Sequence, residues 1–178
     1  MNIPFKVKLL TETAKAPEQA NEGDLWDLFA DNFESPAFKN NEWILDEQAT
    51  IYPQSRILIR TGISLELPKQ GIIGHKEKWT YYDADIDKLI AYAVADIRPR
   101  SGLALKHGIT VLNSPGTIDN SYRKEIGVIL YNAGHAPYTI KKNDKIAQML
   151  IRPLYPSSFE IVKDFEDTGR GGYGSTGN

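Results

Sequence analysis

The 178 residues, 41% of them hydrophobic, suffice for one sizeable core and are too few for two comfortable domains. With 21 Lys and Arg against 23 Asp and Glu, a formal net charge of -2, the chain has no global basic field for a long polyanion, which argues against nucleic acid but not against a small anion. The absence of cysteine removes disulfides, thiol nucleophiles and thiolate metal sites.

Along the chain, the first apolar stretch is broken by Lys6 and Lys8, so it does not read as a signal peptide. No run approaches the roughly 20 apolar residues that span a bilayer, and the expectation is a soluble, cytoplasmic protein with no membrane partner. Residues 4–9 alternate apolar and polar, the period of a half-buried strand. Residues 57–67 do the same, with Ile63, Leu65 and Leu67 on one face, and Gly62 interrupts them as a bulge or a close backbone approach would. From Ile86 the apolar residues Leu89, Ile90, Ala93, Val94 and Ile97 recur at helical spacing behind Asp83 and Asp85, which predicts a short helix near residues 85–95 that ends before Pro99.

Further β-rich runs are predicted at 108–112, 125–131, 145–151 and 159–162. They are divided by turn chemistry at Asn113-Ser114-Pro115-Gly116, at 132–137 and at Lys142-Asn143-Asp144. Many short strands at close spacing point to an all-β sandwich, barrel or jelly roll rather than a βαβ fold. Residues 1–166 are read as one domain. Residues 167–178, rich in Gly, Ser and Thr, are read as a flexible tail.

Four segments carry possible chemistry. Arg98-Pro99-Arg100-Ser101-Gly102-Leu103-Ala104 offers a guanidinium fork, a hydroxyl and a bare backbone to an anion, although a Pro-Gly turn with solvated arginines is the plainer reading. Asn113 to Tyr122 places Asp119 beside an apolar Ile, where a partly desolvated carboxylate can act as general base toward water; an isolated turn Asp more commonly hydrogen-bonds its own backbone. Lys142 to Leu150 is a polar turn leading into a strand with one amide, Gln148. The tail strings Arg170, Tyr173, Gly174 and Ser175 on glycines, able to close over a phosphate and a base or to serve merely as a linker.

Their order is more informative than any one of them. Together with Trp26-Asp27-Leu28-Phe29-Ala30, these segments resemble the five ordered motifs of the trimeric dUTPase family. The resemblance covers 24–30 and 57–177, apart from an insertion within 70–96. It implies a β jelly roll, a homotrimer with shared active sites, dUTP as the small-molecule substrate, and Mg²⁺ held by the triphosphate and waters with no direct protein ligand. Asp119 would be the catalytic base, and Tyr122 would pack on the deoxyribose. The backbone around Asn113, Thr117, Ile118 and Gly127 would read uracil, and Arg100, Ser101, Gly102 and Gln148 would hold phosphates. Asp27 would support metal-bound waters or Arg100, while Arg170, Tyr173, Gly174 and Ser175 would close the site.

The chain departs from the family pattern at Lys124 and Asn143, both where Gly is usual, and at Tyr173, where Phe is usual. Asn tolerates the left-handed conformation that Gly supplies. In the tail, ungapped alignment puts Thr168 at the Arg position, and a two-residue gap puts Arg170 there; Arg170 is preferred because Thr168 cannot supply a cation. A dCTP deaminase, which shares the fold, would need a catalytic Glu near this third motif, and Glu125 is the only nearby candidate.

Overall fold

A computed structural model describes residues 3–34, 48–68, 71–72 and 90–166. In chain order the elements are β1 (Lys6–Leu9), β2 (Trp26–Phe29), β3 (Asn32–Glu34), β4 (Gln48–Ile51), β5 (Arg56–Arg60), β6 (Ile63–Glu66), β7 (Gly71–Ile72), β8 (Ile90–Arg98), α1 (Ser101–His107), β9 (Ile109–Val111), β10 (Gly116–Ile118), β11 (Gly127–Asn132), β12 (Tyr138–Lys141) and β13 (Lys145–Leu154). One sheet runs β10-β8-β13-β2, with β7 added to β8, and a second runs β3-β5-β11-β9. The pairs β1-β6 and β4-β12 flank them, and every pairing is antiparallel. The arrangement is an all-β jelly roll, as expected.

Alternation decides what each strand buries. On β11, Val128, Leu130 and Asn132 point inward while Gly127, Ile129 and Tyr131 are half-exposed. Ile57 and Ile59 of β5 do the same, and they join Leu28, Ala95, Ile97, Ala147 and Met149 of the other sheet in one core. A polar side chain in this setting needs all its partners. Asn132, fully buried, donates to the Ile51 and Ala136 carbonyls and accepts from the Gly134 N–H.

Gly62 behaves as its place in the sequence suggested. It separates β5 from β6 at φ +66°, and a Cβ there would stand 2.6 Å from both the Asp31 carboxylate and the Ala14 methyl. Asp31 is itself buried and accepts hydrogen bonds from Thr11, Thr13 and Asn32. Gly62→Ala therefore adds a steric clash against a fixed carboxylate to a left-handed backbone, and we expect a loss of more than about 1 kcal/mol in urea unfolding.

Two expectations fail. The helical spacing near 85–95 is not a helix where it is described: residues 90–98 form β8, and 85–89 lie outside the described residues. The strand's core face carries Ala93, Ala95 and Ile97 at spacing two, but Val94 on the opposite face is buried as well, which blurs the period toward a helical one. Hydrogen bonding to β10 on one side and β13 on the other fixes the extended state, so tertiary pairing overrides local pattern. The run 159–162 is not a strand, and Phe159 and Ile161 are almost fully exposed. Its residue types suit a strand, but a strand exists only against a partner edge, and among the described residues it pairs with none.

The single helix among the described residues was not predicted. Arg100, extended at φ −87° and ψ 128°, caps α1 without a side-chain hydrogen bond, and Gly108 closes it in the left-handed conformation at φ +70°. Gly108, with the basic Lys106 and His107 before it, was the legible stop signal. No helix among the described residues is long and apolar enough to cross a membrane.

Candidate active site

The first cluster forms where β2, β13 and the end of β8 meet. Strand register sets Gln148 opposite Asp27 on one side and opposite Arg98 on the other. Arg100, past the end of β8, turns back so that its Nη1 donates to Asp27 Oδ1 at 2.6 Å, and Gln148 Nε2 donates to the same oxygen at 3.2 Å. A register irregularity between Lys145 and Ala147 accompanies the approach of Lys145 Nζ to Asp27 Oδ2, at 2.9 Å. The carboxylate is buried, while Arg100 and Lys145 keep part of their surface in solvent.

Burial by itself would raise the Asp27 pKa. Hydrogen bonds from Lys145 and Gln148 and the charges of Arg100 and Lys145 outweigh it, and the group is held below its ordinary value. The cluster thus presents an ionised carboxylate locking two cations in place, with guanidinium and ammonium surface left over for an anion. Ser101 and Gly102 open α1 beside it, both exposed. A Cβ at Gly102 would meet nothing within 4 Å, so no crowding within the chain explains the glycine there.

The second cluster lies on the opposite edge of the same sheet. β10 pairs with β8 through Gly116, Thr117 and Ile118, and the chain then turns at Asp119, whose carbonyl accepts the Tyr122 N–H at 3.0 Å. Asp119 and Asn113 are exposed, and Ile118 and Gly127 are half-buried. Tyr122 donates its hydroxyl to the Glu125 carbonyl at 2.9 Å while the residue stays 39% exposed. The Glu125 carboxylate is engaged elsewhere, accepting from Arg60 at 3.0 Å and from the Gly62 N–H at 2.9 Å. The only glutamate that a deaminase reading has available is therefore a structural clamp.

The two clusters are each assembled within the chain but are not brought to each other. Asn120 donates to the Ala93 carbonyl at 2.9 Å, which fixes the Asp119 turn beside the middle of β8, whereas Gln148 and Asp27 stand at the level of Arg98, where β8 ends. From Ala93 to Arg98 the strand rises roughly 16 Å, and β10 and β2 are separated by three interstrand spacings of about 4.8 Å each. Arg170, Tyr173, Gly174 and Ser175 lie outside the described residues.

The sequence reading assigned no role to Lys145 or to the buried carboxylate Asp96. Asp96 accepts from Thr117 Oγ1 at 2.9 Å and from Arg152 Nε at 2.7 Å, with Arg98 at 3.7 Å. The available signal was an acidic residue two places from Arg98 within an apolar run, and it was lost when that run was read as a helix. Burial would raise the Asp96 pKa, but hydrogen bonds from Arg152 and Thr117 and the two arginine charges lower it. A carboxylate whose folded pKa is depressed adds stability above its unfolded value, here 3.8, and loses it as pH falls through the folded value. We expect the thermal midpoint to fall below about pH 3.8, and to fall less steeply in Asp96→Asn, as read by calorimetry across the acid range.

Solved structures define the class to which this fold belongs. A mutant Staphylococcus bacteriophage 80alpha dUTPase with dUpNHpp superposes with a TM-score of 0.69 at 20% identity, covering 98% of each chain. A mutant dUTPase of phage phi11 of S. aureus, described with a structural Mg(II) ion, superposes at 0.65 and 20% identity, covering 92% of this chain and 99% of that one. At such identities the likeness establishes the jelly roll alone.

Sequence comparison then makes the assignment particular. The dUTPase family model matches residues 73–177. The deoxyuridine 5'-triphosphate nucleotidohydrolase of Clostridium tetani is 42% identical over 176 residues, 97% of this chain and 96% of its own. That of Ehrlichia canis is 46% identical over 137 residues, 75% of each. The chain belongs to the dUTPase family, and it is a hydrolase of nucleotide metabolism.

Proposed function

We propose that the enzyme hydrolyses dUTP to dUMP and pyrophosphate, limiting uracil incorporation into DNA and supplying dUMP, at sites shared between copies of the chain in a homotrimer. Asp119 takes a proton from water, the water oxygen bonds the α-phosphorus, and the bond from that phosphorus to the bridging oxygen breaks as pyrophosphate leaves. Arg100, Ser101, Gly102 and Gln148 hold the phosphates. Asp27 keeps Arg100 in place. The backbone around Asn113, Thr117, Ile118 and Gly127 reads uracil, and Tyr122 lies against the deoxyribose. Arg170, Tyr173, Gly174 and Ser175 are assigned to closure on the sequence motif alone.

The observation that carries this reading is the separation of the two clusters. Nucleophile activation and phosphate binding must act on one triphosphate, yet Asp119 and the cluster of Arg100, Asp27 and Gln148 occupy opposite edges and different levels of one sheet. Bringing the Asp119 edge of one copy to the Arg100 edge of another makes the site whole, and a closed ring of copies is the economical way to do so.

The residues also fit Mg²⁺ carried by substrate. No cluster of three or more carboxylate or imidazole groups stands ready to cage an ion among the described residues, whereas an ionised Asp27 and the free amide oxygen of Gln148 can accept hydrogen bonds from metal-bound waters. When bound, Mg²⁺ would neutralise charge on the triphosphate and on the leaving pyrophosphate. Pyrophosphate release measured with dUTP and the four standard dNTPs should show turnover of dUTP alone, and light scattering should give three chain masses. Equal turnover of dCTP, or a fully active monomer, would refute the proposal.

A further inference from the structure

Among the described residues β10 is a three-residue edge strand with a single partner, a weak support for a turn that must hold a carboxylate still. The Asp119 carboxylate makes no hydrogen bond or ion pair of its own among the described residues, so its position is inherited from the backbone on either side. That backbone is pinned to β8 twice by side chains. Before Asp119, the Thr117 hydroxyl donates to Asp96 Oδ1 at 2.9 Å; after it, the Asn120 amide donates to the carbonyls of Ala93 at 2.9 Å and Pro68 at 2.7 Å. The first anchor is itself braced, because Arg152 on β13 donates from Nε to Asp96 Oδ2 at 2.7 Å, with its Nη2 at 3.4 Å from Oδ1.

We propose that Asp96, braced by Arg152 and bonded to the Thr117 hydroxyl, is a positioning residue for the base Asp119. Arg152, Asp96 and Thr117 form a chain of side chains from the middle of the sheet to its edge, and Asn120 closes the other side of the turn. The inference rests on the reading of Asp119 as the base and adds to it a cause for that residue's fixed placement. Asp96 is only 2% exposed, but Arg98 and Arg152 are 44% and 38% exposed in their side chains, so within the single chain removing the carboxylate leaves both cations able to hydrate.

The test compares Asp96→Ala, Thr117→Val and their double variant with Thr117→Ser, measuring kcat on dUTP and the Kd of a non-hydrolysable imido analogue. Misplacement of a reacting group by about 1 Å costs up to roughly 10²-fold, so each of the two single variants should lose about 10- to 100-fold in kcat. Analogue affinity should stay within about 3-fold, because uracil is read through the backbone around Thr117, which both substitutions keep, and the double variant should be no worse than either single one, since both cut the same chain. Thr117→Ser, which keeps the hydroxyl, should recover most of the rate. Additive losses, or a folded Asp96→Ala trimer with kcat within about twofold of the parent, would overturn the proposal. Should Asp96→Ala fail to fold, the contrast between Thr117→Val and Thr117→Ser decides, equal rates overturning it. Asp119→Asn run in parallel separates the two levels: if it stays active the base assignment fails, and if it is inactive while Asp96→Ala is unaffected only the positioning role fails.

Discussion

Asp119→Asn should retain the fold and bind nucleotide nearly as well as the parent while losing about 10²- to 10⁴-fold in kcat, the range associated with a positioned general base. The fold should be indifferent because the residue is exposed and its carboxylate bonds nothing within the described residues. Its backbone carbonyl, which accepts the Tyr122 N–H, is unchanged by the substitution. Asn matches Asp in shape but cannot accept the water proton. Stopped-flow measurement of proton release on dUTP, beside analogue titration, separates rate from binding, and near-parental turnover would remove Asp119 from the mechanism.

Arg100→Ala is expected to have the second large effect, a loss on the order of 10²-fold or more in kcat/KM, because it removes the oriented cation proposed to meet the transferring phosphates. Stability should change little. Asp27 keeps Lys145 at 2.9 Å and Gln148 at 3.2 Å, so no buried carboxylate is left unpaired. Asp27→Ala is the informative contrast, since it releases Arg100 and Lys145 together and should lower both activity and thermal midpoint. Arg100→Lys should fall between, a point charge replacing a two-pronged fork. A parental kcat/KM for Arg100→Ala would detach this cluster from the phosphates.

Legibility in the sequence followed how local each constraint is. Gly62 and Asn143 were readable because a single residue's backbone freedom is at stake: Gly62 sits at φ +66° and Asn143 at φ +69°. The strands of 63–66 and 109–111 were readable because apolar and polar residues alternate along them. The run 90–98 was misread because it carries buried residues on both faces, and α1 was missed because none of its seven residues is buried, which leaves no apolar stripe to find. At the site, residue types and their order identified Asp27, Arg100, Asp119 and Gln148 as candidates, but spacing could not say which would meet.

The sequence by itself determined the family, the all-β class and the identity of the chemical groups, since these depend on residue types in order and on side-chain period. Only the tertiary structure decided that Asp27 lies against Arg100, Lys145 and Gln148, and that Asp119 lies across the sheet from them. It also decided that Asp96, Arg152 and Thr117 form one network. Pairs 73, 121 and 56 residues apart are joined by strand register, and register is set by which hydrophobic faces close on a common core, a property of the folded whole that no local window contains.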